Sequence, residues 1–115
     1  MKEMFSSERR QEERVPIELF ESLVTISDGQ RFFVESMTDL STTGVGIEAL
    51  QKFHADSRLT MFFPLKFRVK TEGIVRWVRK KGQMYRMGLQ FMDMTTKQKK
   101  SISEFMHQFN NAPVI

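Results

Sequence analysis

The sequence predicts a mainly β protein: a six-stranded antiparallel β-barrel with a flexible N-terminal arm and a C-terminal α-helix. Three observations lead there. Short runs alternating apolar with polar residues recur from residue 17 to residue 91, separated by turn residues. Short strands linked this way favour a closed or nearly closed barrel. The period then changes once, after Met94, where Ile102, Phe105, Met106 and Phe109 fall at i, i+3, i+4 and i+7. At 115 residues the chain has room for one core, so it reads as one domain.

Residues 1–14 carry four positive and four negative groups and no apolar stripe. They read as a mobile arm; the alternative is a short solvated helix with Arg10 and Arg14 on one face. Pro16 disfavours helix at Val15 and marks a boundary, so the barrel domain spans 15–115, with its helix at about 95–110. From Ile17 to Ile26 the chain is apolar and β-branched, with Leu19, Leu23, Val24 and Ile26. Asp28-Gly29 follows, then Phe32-Phe33-Val34. An Asp-Gly between two such runs signals a tight primed turn, which needs positive φ. Residues 17–27 and 30–38 are therefore expected to pair.

Val45, Ile47 and Ala49 alternate with Gly44, Gly46 and Glu48 in a third strand, where Gly46 lets a neighbour approach closely. Leu59 to Phe63 is the fourth strand and Pro64 ends it. Over residues 66–79, Phe67, Val69, Val75 and Trp77 share one parity. Arg68, Lys70, Glu72 and Arg76 share the other, which Ile74 and Val78 interrupt. Lys80-Lys81-Gly82-Gln83 connects to a sixth strand, where Tyr85, Met87, Leu89 and Phe91 alternate with Arg86, Gly88 and Gln90. Thr95 or Thr96 caps the helix, and Asn110-Asn111-Ala112-Pro113 ends it.

Composition narrows the function classes. Apolar residues make up 40%, with eleven Phe and nine Met, a globular composition. No apolar run is long enough to span a membrane, and the start lacks the apolar stretch of a signal peptide. With no cysteine, disulfides and thiolate metal sites are excluded, and a cytoplasmic protein is expected. His54 and His107 sit in no ligand-spacing pattern, so no metal is expected. No Ser/His/Asp set has suggestive local context, so the chain does not read as an enzyme. The net charge of +4 is uneven. Residues 15–65 carry three Lys/Arg against seven Asp/Glu, and residues 66–100 carry eleven against two. The basic stretch attracts phosphates, nucleic acid or an acidic protein face, or simply keeps a strand face and helix start solvated.

Two clusters carry the chemistry. Arg10 and Arg14 form R-x-x-x-R, preceded by Arg9. Asp39, Ser41 and Gly44 form D-x-S-x-x-G. Guanidinium forks suit phosphate oxygens and the O6/N7 edge of guanine. A carboxylate suits the guanine N1–H and N2–H₂ donors. Asp39 and Ser41 equally serve as turn formers, and Gly44 permits a backbone that a Cβ would hinder.

The pairing of these clusters, in this order, resembles the PilZ domain, the bacterial receptor module for cyclic di-GMP. The likeness continues through Gly44-Val45-Gly46-Ile47, Gly73-Ile74-Val75-Arg76-Trp77 and Tyr85-Arg86-Met87-Gly88-Leu89-Gln90-Phe91. The resemblance implies the same fold class, a six-stranded barrel with a C-terminal helix. It implies that Arg10 and Arg14 grip phosphate and the guanine Hoogsteen edge. Asp39 and Ser41 would bind the base from the barrel side, and Gly44 would shape their turn. An arginine at Arg9 accompanies, in that family, an intercalated pair of ligand molecules. Trp77 is a further candidate contact, although its parity with Val75 and Phe67 favours core packing. Glu12 and Glu13 would compete weakly for the arm's arginines.

No cofactor is implied beyond the ligand cyclic di-GMP. Arm closure would alter the surface and engage a downstream protein partner, as family members do in motility, exopolysaccharide or virulence control. The basic stretch and the helix face are the expected docking surfaces. Two rivals remain: a small basic barrel binding single-stranded nucleic acid, and a PilZ-like scaffold that binds no nucleotide. The first leaves both clusters unexplained, so nucleic acid is not the expected partner.

Overall fold

Residues 15–16, 23–63 and 69–110 are described by the computed structural model. The arm of residues 1–14, with Arg9, Arg10, Glu12, Glu13 and Arg14, lies outside the described residues, as do Leu19, Pro64, Phe67, Arg68 and 111–113. Among the described residues, seven strands and one helix follow in order: β1 (Val15–Pro16), β2 (Leu23–Ser27), β3 (Phe32–Leu40), β4 (Gly44–Ala49), β5 (Arg58–Phe62), β6 (Lys70–Lys81), β7 (Met84–Met92) and α1 (Thr96–Asn110). Six strands close a ring in the order β3-β2-β5-β6-β7-β4, and β4 returns to β3. Every pairing is antiparallel. The expected six-stranded barrel with a C-terminal helix is the architecture observed. The two residues of β1, which the sequence did not announce, lie beside β3.

Alternation builds the barrel. Val24 and Ile26, Val45 and Ile47, Leu59 and Met61, and Met87 and Leu89 point inward and are buried. Such side chains each stabilise by about 1.5–3 kcal/mol on burial. The Phe63 and Phe91 rings meet edge to face at 5.8 Å, and Phe33 meets Phe53 likewise at 5.3 Å. Phe32 and Val34 remain exposed on the outer face, where the Phe32 ring tilts against Phe62.

The first hairpin turns at Asp-Gly as expected: Gly29 has a φ of 99°, and Asp28 N donates to the Arg31 carbonyl at 3.3 Å across Gly29 and Gln30. Asp28 Oδ1 accepts from the backbone N–H of both Gln30 and Arg31 at 2.9 Å. Those bonds, with Arg31 first, hold the Asp28 carboxyl below its usual range. The turn between β6 and β7 is tight, with only Gly82 and Gln83 between the strands and Gly82 at φ 62°. Thr95 is the helix cap. Its Oγ1 accepts from Gln98 N at 3.0 Å, and Gln98 Oε1 accepts from Thr95 N at 2.8 Å, a reciprocal capping box. Gln98 Nε2 also donates to the Lys70 carbonyl at 2.7 Å and ties the helix to β6. Ile102, Phe105 and Met106 are buried in the core. The apolar helix face, one of the expected docking surfaces, is therefore occupied by the barrel. No helix among the described residues is long and apolar enough to cross a membrane.

Glu35 has the inward parity of Phe33 and Met37 and is half-buried. Burial pushes its carboxyl above its ordinary value, and the Leu50 backbone N–H offsets part of that push. The folded state thus holds this proton more tightly than the unfolded chain. Its favourable contribution is complete below the unfolded value near 4.5 and is lost as pH rises through the raised folded value. Glu35→Gln should raise the urea midpoint at neutral pH, with the gain shrinking as pH falls toward 4.5. A gain that does not change with pH would contradict this assignment.

Candidate ligand-binding face

Ser41, Thr42 and Thr43 link β3 to β4, and the Ser41 side chain builds the link. Its Oγ accepts from Thr43 N at 3.2 Å and Gly44 N at 3.1 Å. The same hydroxyl lies 3.4 Å from the Gly44 carbonyl and 3.2 Å from Thr43 Oγ1. Ser41 N donates to the Gly44 carbonyl at 2.9 Å, and Phe91 N donates to the Thr43 carbonyl at 2.8 Å. Ser41 is 0% exposed. Gly44 is needed for proximity, since a Cβ there would overlap the Leu89 carbonyl oxygen of β7. Its φ is not positive, so the backbone freedom expected of it is not what the position uses.

Two bulges reshape the outer face beside this turn. On β3, Met37 pairs with Ile47 and Asp39 with Gly46, leaving Thr38 as an extra residue. Thr38 and Asp39 therefore both lie on the outer side, while Met37 and Leu40 stay buried. On β6, Val75 pairs with Leu89 and Trp77 with Gly88, leaving Arg76 extra. Arg76 and Trp77 both become exposed, and Val78 returns to pack against the core. Gly46 and Gly88 face each other across β4 and β7. A Cβ on Gly46 would lie 2.7 Å from Thr38 Oγ1 and 2.9 Å from Asp39 Oδ1. A Cβ on Gly88 would overlap the Trp77 indole at Nε1. The two glycines thus form a side-chain-free floor with the Asp39 carboxylate over one end and the Trp77 ring over the other.

A family model described as PilZ domain matches residues 8–108. The chain belongs to the PilZ domain family. Solved structures agree in fold. The inhibitor of motility MotI/DgrA of Bacillus subtilis superposes with a TM-score of 0.74 at 17% identity, covering 91% of this chain and 54% of that one. The PilZ domain of YcgR from Escherichia coli, solved with c-di-GMP, gives 0.72 at 11% identity, covering 89% and 92%. The MrkH–c-di-GMP complex of K. pneumonia gives 0.71 at 11% identity, covering 87% and 52%. This chain therefore spans about half the length of MotI/DgrA and MrkH. Among curated proteins, none matches it by sequence.

Within this PilZ domain, Asp39, Ser41 and Gly44 come together at one turn, and Trp77 lies across the floor from them. The packing role favoured for Trp77 does not hold: it is 43% exposed, because the Arg76 bulge reverses the parity that Val75 sets. Val78, which breaks the polar alternation, is the sequence trace of that bulge. Arg9, Arg10 and Arg14 lie outside the described residues, but Val15, which follows Arg14 in the chain, pairs with Leu40, and Pro16 pairs with Asp39. The basic stretch supplies part of this same face. Arg79 stacks over the Trp77 ring at 5.3 Å, and Arg76 Nε donates to Gln90 Oε1 at 2.7 Å. Lys81 pairs with Glu48 at 3.6 Å. Sequence reasoning missed Thr38 and Arg86, which lie on this face with a buried polar atom each.

The turn and the floor can be tested separately. Ser41→Ala strands the Thr43 and Gly44 N–H groups and should cost about 1–3 kcal/mol in urea denaturation. Gly88→Ala should shift the fluorescence of Trp77, the single tryptophan, with the far-UV circular dichroism preserved. An unchanged emission spectrum would show that the indole does not rest on Gly88.

Proposed function

We propose that this PilZ domain is a receptor for cyclic di-GMP that binds on the Asp39–Gly46–Gly88–Trp77 face. The observation that supports this reading most is the pairing of Val15 and Pro16 with Leu40 and Asp39. It ties the residue that follows Arg14 in the chain to Leu40, beside the D-x-S-x-x-G turn, and consecutive residues are about 3.8 Å apart. Guanidinium groups at Arg10 and Arg14 then reach a ligand whose base lies against the Asp39 carboxylate and the outer side of the Trp77 ring. Asp39 accepts from the guanine N1–H and N2–H₂ edge. Trp77 offers a ring for stacking, and Arg79 leaves its place over the indole to admit the base. Ser41 acts by building the turn, since its hydroxyl is already engaged by backbone groups. Gly44 acts by letting β7 approach.

MrkH and the YcgR PilZ domain were each solved with c-di-GMP, which supports carrying that ligand to this chain. Arg9 is the residue proposed to stack on a second, intercalated ligand molecule. Closure of the segment 1–14 over the ligand changes the surface around the turn, and that change is what a downstream protein partner reads. The ordering cost is offset by the ligand contacts.

Calorimetric titration with cyclic di-GMP tests this directly. The wild type should show saturable binding that cyclic di-AMP does not reproduce. Arg14→Ala and Asp39→Ala should each weaken it about tenfold or more, since a charged hydrogen bond contributes about 1.5–3 kcal/mol. Arg14→Lys should not restore affinity, because an ammonium cannot form the fork. A stoichiometry of two ligands per chain is expected, falling to one in Arg9→Ala. Absence of heat and of thermal stabilisation at high ligand would contradict the receptor reading.

A further inference from the structure

Two buried polar atoms on the ligand-binding face have no hydrogen-bond partner among the described residues: Thr38 Oγ1 and Arg86 Nε. Buried polar atoms are nearly always paired, and an unpaired one costs about 1–3 kcal/mol. Their positions are related. Thr38 is the extra residue of the β3 bulge, and its hydroxyl lies over Gly46. Arg86 precedes Gly88 by two positions on β7, so its side chain leaves the same face as the glycine floor. The two orphaned groups therefore border one surface from two sides.

The setting of Arg86 adds a second, independent observation. Arg79 stands directly opposite it across β6 and β7. Like charges directly opposed in a sheet destabilise the pair. Glu48 is its opposite neighbour on β4, but the Glu48 carboxylate is engaged by Lys81 at 3.6 Å. The Arg79 guanidinium is stacked on Trp77. The sheet thus keeps a cationic pair with an unused N–H beside the Trp77 ring. Arg86 Nε is shielded from solvent in this arrangement, so an anion reaches it only when a neighbouring side chain such as Arg79 swings aside; it then satisfies the Arg86 donor and relieves the Arg79–Arg86 repulsion at once.

We infer that Arg86 is a phosphate-binding residue on the barrel itself, with Thr38 as a second polar contact across the floor. The guanidinium offers Nε–H and one terminal N–H as a fork to the two unesterified oxygens of a phosphodiester. Asp39 and Trp77 hold a base on the same surface, so the ligand class is a cyclic dinucleotide, whose phosphates lie within one ring of its bases. The inference rests on the cyclic di-GMP reading above and extends it: phosphate recognition is shared between the R-x-x-x-R segment and β7.

The test uses the full chain and follows cyclic di-GMP binding by calorimetry at several salt concentrations. Arg86→Met keeps an apolar stem of similar length, so packing of the stem is retained. It should weaken binding about tenfold and lower the slope of log affinity against log salt by about one unit. Arg86→Lys should recover the salt slope but not the affinity. Thr38→Val should weaken binding about threefold with the slope unchanged, as expected for a neutral contact. Because Arg86 Nε has no partner to lose among the described residues, Arg86→Met should be at least as stable as the wild type in urea. A destabilised Met variant would assign Arg86 a structural role and overturn the inference. Wild-type-like affinity and slope in Arg86→Met would also overturn it, while leaving the receptor reading intact. A wild type that does not bind cyclic di-GMP overturns both.

Discussion

The close approach of side chains to Gly46 and Gly88 is the constraint on which the face depends. These two residues are opposed across β4 and β7, and each carries a neighbour where its Cβ would be. Thr38 and Asp39 occupy the space above Gly46, and Trp77 occupies the space above Gly88. Any side chain on either glycine would lift its neighbour and close the flat strip between them. Gly44, two residues before Gly46 on β4, serves the same strand pair by meeting the Leu89 carbonyl. Three glycines thus determine how closely the carboxylate, the indole and the turn sit against the barrel wall.

The bulges make that arrangement possible without disturbing the core. A regular β3 would place one of Thr38 and Asp39 inside, and a regular β6 would place Trp77 inside with Val75. Each bulge adds one residue and returns the strand to its inward pattern at Leu40 and Val78. Met37, Leu40 and Val75 remain buried, so barrel stability is largely insulated from the chemistry displayed outside. The outer face, by contrast, retains features that oppose stability: an exposed tryptophan, two opposed arginines and, among the described residues, two buried polar atoms without partners. Natural folds violate their own rules at functional sites, and here the violations gather on one side of the barrel.

Much of the fold was legible because burial imposes a period of two on the strands and 3.6 on the helix. Val45-Ile47-Ala49 and Met87-Leu89-Phe91 declare their inward faces in the sequence, and Ile102-Phe105-Met106 declares a helix. The capping residues were readable for the same local reason. Trp77 was misread because a bulge breaks parity, and simple alternation from Val75 carries the reader to the wrong face; Val78 on the polar side was the available clue. The floor was half legible. Gly46 signalled a close approach, but that the approaching groups belong to Thr38 and Asp39 depends on register, which alternation alone does not fix. The β1 pairing was not legible, because two residues carry no periodic signal. Nor was the lack of a partner for Arg86 Nε among the described residues, although Glu48 stands opposite it on β4.

The claim that one face of the barrel holds the ligand is tested most directly by mapping the footprint of cyclic di-GMP in two-dimensional amide NMR spectra. Trp77 is the single tryptophan, so its indole N–H gives one unambiguous peak. The account predicts that this peak moves on saturation together with the amides of Thr38 to Gly46 and of Gly88. The amides of Thr25 and Thr60, on the far side of the barrel, should stay in place. Shifts confined to that far side, or to the loop around Lys52 and His54 with the indole peak unmoved, would contradict the account.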